Sequence, residues 1–278
     1  MPGKRTWVSL LRSIFERVKM LLSKTSPVKF ILYQAHKTEF AQCRPLNGYS
    51  GVYLTFEDAQ KAIPAYQKSG YDHIEMSQIS ESNLGEINFR EFPVLYWLRS
   101  VSPEVTSVLD LGGHCGELFY AFDKYLNFSA DFSWCVFDVP SVVESGRQIA
   151  IKKNASLLSF TTNTDSAEKA DLLLVSGSLQ YFHPDFFPAL LEKVKQKTKH
   201  IIIHHTPIHP EKTFITIQAA YKVFCPYVVT SRSVLINLFA EKGYELVDTW
   251  KIPRVLDVPF FPECHIDFYS GLYFRLKN

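Results

Sequence analysis

Paired cysteines, long apolar runs and a large net charge are all missing from this chain. Its cysteines stand at 43, 115, 135, 225 and 264, an odd number, widely spaced and without a C-x-x-C. That pattern argues against a disulfide framework or a four-cysteine zinc site and fits a reducing compartment, so a cytoplasmic location is expected. No apolar run approaches the ~18 residues that a membrane span needs. A signal peptide is not expected either, because Arg12, Glu16, Arg17 and Lys19 interrupt the apolar start and no small-residue cleavage site follows. Internal repeats and low-complexity segments are absent. With 46% hydrophobic and 21% charged residues, the composition excludes collagen-like and broadly disordered chains.

The charge is small but unevenly placed. Thirty basic and twenty-eight acidic residues leave +2. Residues 1–30 hold seven Lys/Arg against Glu16 alone, a balance of +6, so residues 31–278 carry −4. A mildly acidic body disfavours a phosphate track for nucleic acid. Within residues 4–24, Trp7, Leu10, Leu11, Ile14, Phe15, Val18, Leu21 and Leu22 recur at helical spacing opposite a basic face. Such a helix either packs its stripe on the body or makes peripheral contact with an anionic membrane.

Residues 31–100 lack a regular strand–helix alternation and are expected to form an N-terminal cap region. It is read as helical, with helix candidates over 59–66, opened near Thr55, and over 90–98, and one turn-rich segment around Asn47-Gly48-Tyr49-Ser50-Gly51. From residue 101 onward the pattern changes. Apolar runs at 107–111, 132–137, 157–161, 171–175 and 200–204 alternate with helical stretches or loops, which predicts parallel strands of an α/β sheet. Two further runs, 244–251 and 272–276, lie close together without a crossover helix and should pair antiparallel.

The most informative stretch is Asp110-Leu111-Gly112-Gly113-His114-Cys115-Gly116. A strand runs into a glycine-rich turn and then a helix, so backbone can approach a ligand and free N–H donors face it. The spacing is not the G-x-G-x-x-G of dinucleotide enzymes. An acid before the first glycine would repel a pyrophosphate but suits an ammonium or sulfonium group. Further on, Trp134-Cys135-Val136-Phe137-Asp138 ends a strand in an acid, the position that accepts ribose hydroxyls in nucleotide-binding α/β folds. The alternative for Asp138 is a cap of the following helix, where Pro140 suits an early position, but the glycine turn upstream favours ribose binding.

These motifs resemble the class I S-adenosylmethionine-dependent methyltransferases, and within them the small-molecule O-methyltransferases. Across nearly the whole chain, N-G-Y-S-G-V-Y, V-L-D-L-G-G, S-G-S-L-Q-Y-F and the T-P after the fifth strand are similar to a narrower methyltransferase family. That family is linked to bacterial surface-polysaccharide and lipopolysaccharide biosynthesis. The resemblance implies a Rossmann-like seven-stranded methyltransferase sheet with its last strand antiparallel over 101–278, and S-adenosyl-L-methionine as cofactor. It implies a methionine-side cradle of Asp110, Gly112, Gly113 and Gly116, with Asp138 at the ribose. Ser176 and Gly177 would stand at the mouth of the fourth strand.

Two departures accompany the likeness. His114 replaces a glycine of the turn, and a side chain there does not freely take a positive φ. Gln180 stands where such enzymes usually have a histidine base, and an amide cannot deprotonate a hydroxyl. A base is then sought after the fifth strand, at His204 or His205. The nearby His209 raises a metal reading, but Pro207 and Pro210 disrupt the geometry of a helical ligand pair, and no metal is expected. The aromatic segment 214–227 offers Phe214, Tyr221, Phe224 and Tyr227 as a wall against a sugar or as core. The expected activity is methylation of an oxygen on a small-molecule or glycan acceptor, with sugar or surface-polysaccharide precursors favoured. The alternative is a non-catalytic binding module that retains the cofactor pocket.

Overall fold

The computed structural model describes residues 26–73, 84–194, 198–220 and 223–277. The amphipathic stretch 4–24 and Tyr221 lie outside the described residues. Helix α1 (Ser26–Phe40) is followed by strand β1 (Tyr49–Tyr53) and helix α2 (Phe56–Ala62). Thr55 caps α2, its side chain accepting from the Asp58 N–H at 3.0 Å. A short 3-10 turn at Phe89–Glu91, closed by a reciprocal capping box between Asn88 and Glu91, leads into α3 (Phe92–Val101).

The alternation that follows runs β2 (Ser107–Leu111), α4 (Glu117–Leu126), β3 (Ser133–Phe137), α5 (Pro140–Lys152), β4 (Leu158–Thr161), β5 (Leu172–Ser176), α6 (Phe186–Lys193) and β6 (His200–Thr206). These strands pair in parallel. Their near-continuous Val/Ile/Leu runs are those of a sheet covered on both faces. Leu118, Phe119, Ala121 and Phe122 make one buried stripe on α4 and join Trp134 and Val136 on one side of the sheet. Leu109, Leu173, Ile201 and Phe239 pack on the other.

After β6 the chain forms β7 (Ile208–His209), β8 (Phe214–Ala220) and β9 (Val223–Ser231), then α7 (Arg232–Glu241), β10 (Tyr244–Ile252) and β11 (Tyr269–Leu276). The large sheet has seven strands in the order β10-β11-β6-β5-β2-β3-β4. As expected, the last strand is antiparallel, and it is inserted between β6 and β10.

A second sheet was not expected. Its order is β1-β8-β9-β7, and β1 pairs antiparallel with β8, Tyr49 opposite Gln218. The aromatic segment is therefore a hairpin, and the turn-rich stretch near residue 49 supplies an outer strand to it. Every residue of β8 is buried. Ile215, Ile217 and Ala219 pack with Phe40, Ala59 and Ile63 on one side of this sheet. Phe214, Tyr227 and Val229 pack with Ile252, Leu256 and Tyr269 on the other. Phe214, Phe224 and Tyr227 thus fill core.

Candidate active site

The turn after β2 is built by close approaches that a side chain would block. Gly112 has φ +67°, and a Cβ there would stand 2.4 Å from Ser178 Cβ. A Cβ on Gly113 would stand 2.3 Å from Asp110 Oδ2. The Gly112 N–H donates to the Phe137 carbonyl at 2.7 Å, which ties the turn to the end of β3. Gly116 then takes the N-cap position of α4. Contrary to the expectation for a β-carbon-bearing residue, His114 holds φ +53°. That conformation costs about 1–2 kcal/mol. Its N–H is fixed by Asp138 Oδ2 at 2.9 Å.

Two acids flank this turn, Asp110 within β2 and Asp138 directly after the neighbouring parallel strand β3. Asp110 is fully buried, and burial pushes its carboxyl up to about 7. The Trp134 indole N–H, 3.2 Å from Oδ2, acts to lower it, and the charges of Asp138 and Glu117 act to raise it. Asp110 Oδ1 is buried without a hydrogen-bond partner among the described residues. Asp138 is also raised, mainly by burial, against the lowering effect of the Val139 and His114 N–H groups. It is not the cap of α5, since that position belongs to Val139. Instead its Oδ1 accepts the Val139 N–H at 2.8 Å while Oδ2 holds the glycine turn. Buried polar atoms without partners are rare, and an unpartnered carboxylate oxygen below a glycine turn fits a cationic group.

The ends of β5 and β6 bring the other candidates together. Ser176 pairs with His204 in register. The Gly177 N–H donates to the His204 carbonyl at 2.8 Å. The His205 ring lies over Gly177, its Nδ1 3.6 Å from where a Cβ would be. Burial lowers His204 to about 3, with a smaller contribution from His205. His205 falls to about 4 through burial, then the charges of Arg254 and Arg90.

Both rings are therefore neutral at pH 7, and both have their lone pairs facing donors. The Trp250 indole N–H donates to His204 Nδ1 at 3.1 Å, which leaves the proton on Nε2. Arg254 donates to His205 Nε2 at 3.3 Å, which leaves the proton on Nδ1. Gln180 is buried, donates from Nε2 to the Gly177 carbonyl at 2.5 Å, and has an Oε1 without a partner among the described residues. Among the described residues, no group of three or more His, Cys, Asp or Glu is placed to hold a metal ion.

Sequence reasoning missed a polar cluster beside His205. Arg254 follows β10, and its guanidinium lies 5.0 Å from the Tyr269 ring centre. Tyr269 joins Tyr49 and Tyr227 through hydroxyl contacts of 2.9 and 2.8 Å. Gln218 links Tyr49 to Tyr181, at 3.2 and 2.7 Å. These residues are scattered from position 49 to position 269, and of them the sequence reading names only Tyr227 as a wall or core residue.

No protein-family model and no curated protein matches the chain, so the narrower family expected from the sequence gains no support there. Among solved structures the chain is similar to the 1,6-didemethyltoxoflavin-N1-methyltransferase of Burkholderia thailandensis with bound S-adenosylhomocysteine. The identity is 15% over 68% of this chain and 79% of that one, with a TM-score of 0.49. It is also similar to the magnesium protoporphyrin IX methyltransferase of Synechocystis PCC 6803, at 14% identity over 69% and 86%, TM-score 0.44. A third is the mitomycin 7-O-methyltransferase MmcR, at 15% identity and TM-score 0.45, matched over 67% of this chain and 54% of its own. The chain thus spans about half of the mitomycin enzyme. At these identities the likeness is one of architecture.

Proposed function

We propose that the protein is an S-adenosylmethionine-dependent methyltransferase acting on an oxygen, a hydroxyl of a sugar or surface-polysaccharide precursor. The observation that carries this reading is the buried Oδ1 of Asp110 beside the Gly112–Gly113 turn, without a partner among the described residues, with Asp138 at the end of the adjacent strand. Asp110 would hold the cofactor's ammonium, with Gly112, Gly113 and Gly116 giving backbone access. Asp138 has lone pairs left for ribose hydroxyls, and Ser176 and Gly177 stand at the open end of β5. The bound cofactor supplies an activated sulfonium methyl. The protein's part is then to align the acceptor with it and exclude water. A dinucleotide is disfavoured because the acid at this turn would face a pyrophosphate.

Calorimetric titration of the purified protein with S-adenosylmethionine tests the reading. Saturable binding is expected, and its absence at about millimolar concentration ends it. A second reading is a cofactor-binding module without turnover. It is favoured by the two histidine lone pairs that already face Trp250 and Arg254. An acceptor screen that shows cofactor binding without any methyl transfer would select it.

We also propose a cytoplasmic protein whose residues 4–24 make peripheral contact with anionic membrane. The support is the +6 balance of residues 1–30. Each basic residue near such a surface contributes about 1 kcal/mol. Among the described residues no helix is long and apolar enough to cross a membrane. Sedimentation with anionic vesicles at low and high salt, with and without residues 1–26, tests it. Full-length protein left in the supernatant at low salt overturns it.

A further inference from the structure

A half-buried guanidinium normally has a carboxylate partner, because an uncompensated charge out of water is expensive. Arg254 has none among the described residues. Its polar contact is a histidine nitrogen, and its surroundings are the phenol rings of Tyr49, Tyr181, Tyr227 and Tyr269. Arg90 is a second arginine without an ion pair among the described residues, although its charge acts on neighbouring Glu91. It sits on the 3-10 turn before α3, with a buried Nε that has no partner among the described residues. The charges of both arginines act on His205.

The proton count at this place leaves donors over. Arg254 donates to His205 Nε2, so His205 carries its proton on Nδ1, the nitrogen that overlooks Gly177. The hydroxyls of Tyr49, Tyr269 and Tyr227 form a row joined by two contacts. Gln218 Nε2 donates into that row at Tyr49. Three hydroxyls own three protons and the two contacts use two, so one phenolic proton has no acceptor among the described residues. Two cations and an unused ring N–H therefore act on the end of β6, with no carboxylate ion-paired to either guanidinium among the described residues.

We propose that Arg90, Arg254 and the Nδ1–H of His205, backed by the Tyr269 hydroxyl row, form a subsite for an oxyanion of the methyl acceptor. The group it takes is a carboxylate or a phosphate monoester, whose oxygens match the planar fork of a guanidinium. A Glu or Asp paired with these arginines would close such a site, and among the described residues none forms an ion pair with either. The subsite adjoins Ser176 and Gly177, so an anchored acceptor would present a nearby oxygen toward the cofactor side. His205 is a positioning residue here: it orients Arg254 through Nε2 and offers a hydrogen bond through Nδ1. The term "methyl acceptor" rests on the methyltransferase reading, whereas the oxyanion site itself does not.

The test uses the full-length protein without cofactor, with the ring nitrogens of histidine observed by NMR. Inorganic phosphate, glucuronate and neutral glucose are titrated in separate arms. Saturable movement of the His205 Nδ1–H signal is expected with phosphate or glucuronate and not with glucose; which anion binds more tightly distinguishes phosphate monoester from carboxylate. Arg254→Gln and, separately, Arg90→Gln should weaken that binding at least about tenfold, and Arg254→Lys should restore part of it. Binding of S-adenosylhomocysteine, followed by calorimetry, should change less than about twofold in the same variants. No saturable shift in the wild type up to about 20 mM overturns the subsite, as does a shift that neither Gln variant weakens. If wild type binds the anion but not S-adenosylhomocysteine, the methyltransferase reading falls and the subsite stands. The reverse result removes the subsite alone.

Discussion

The carboxylate of Asp138 accepts the backbone N–H of His114, twenty-four residues earlier in the chain, at 2.9 Å. One side chain thus clamps the glycine turn after β2 to the end of β3. Its other oxygen takes the Val139 N–H at 2.8 Å. Asp138→Ala removes both acceptors, and each orphaned N–H costs about 1–3 kcal/mol. We expect a thermal midpoint several degrees lower, and S-adenosylhomocysteine affinity reduced at least about tenfold by calorimetry. Asp138→Asn keeps one acceptor oxygen and should fall between. Unchanged affinity in the Ala variant would remove Asp138 from the cofactor site.

Asp110 should make cofactor binding depend on pH. Its carboxyl lies near 7 in the free protein, and a bound ammonium favours the ionised form. Affinity should therefore rise between pH 6 and 8, by up to about tenfold per unit below 7. Asp110→Asn should bind weakly and lose this dependence.

The same shift makes a stability prediction of opposite sign to that of most aspartates. Folded Asp110 holds its proton more tightly than the unfolded chain does, since its ordinary value is 3.8. It therefore favours the fold below about 4, and that advantage is lost as pH rises toward 7. The difference in thermal midpoint between Asp110→Asn and wild type should grow in favour of the variant from pH 5 to pH 8. A constant difference contradicts the raised carboxyl.

Gly113→Ala places a Cβ 2.3 Å from a carboxylate that is itself packed against Trp134. Neither partner can yield cheaply, so we expect marked destabilisation and loss of cofactor binding. Gly177→Ala is the comparison. Its Cβ would meet only His205 Nδ1, at 3.6 Å, and the penalty is that of φ +69° alone. That is about 1–2 kcal/mol.

His204 and His205 should show fixed and different tautomers. Long-range proton–nitrogen NMR should find the proton on Nε2 of His204 and on Nδ1 of His205 at pH 7. Because both are lowered, to about 3 and about 4, neither should titrate between pH 5 and 8. For these groups the unfolded chain binds protons first, so their contribution to stability is lost as pH falls through the range from 6.5 to about 4. A histidine signal titrating near 6.5 at either position contradicts the burial described here.

The large sheet was legible in the sequence because each strand carries its own signal. Ser107–Leu111 coincides with its apolar run, and β6 extends the run at 200–204 by two residues. The acid–glycine turn was legible for the same reason, since its parts are consecutive. The small sheet was not. β1 and β8 meet across a separation of 169 residues, and buried β8 carries Thr216 and Gln218, whose partners Ser50, Tyr49 and Tyr181 belong to other segments. Arg254 and Arg90 were invisible for a similar reason: an exposed arginine and one lacking its carboxylate look alike until tertiary neighbours are known.

The pairing of β1 with β8 also limits how this protein can be recombined. A boundary at residue 100 looks natural from composition, yet a chimera joined there would give β8 a foreign neighbour or none. The vacated edge would run along Ile215, Ile217 and Gln218, the residues opposite β1. An open, apolar strand edge invites pairing between chains. Exchange of this small sheet between relatives of this architecture would therefore require the segment around residues 49–53 and the hairpin 214–231 to move together, as one unit split in the gene but continuous in space.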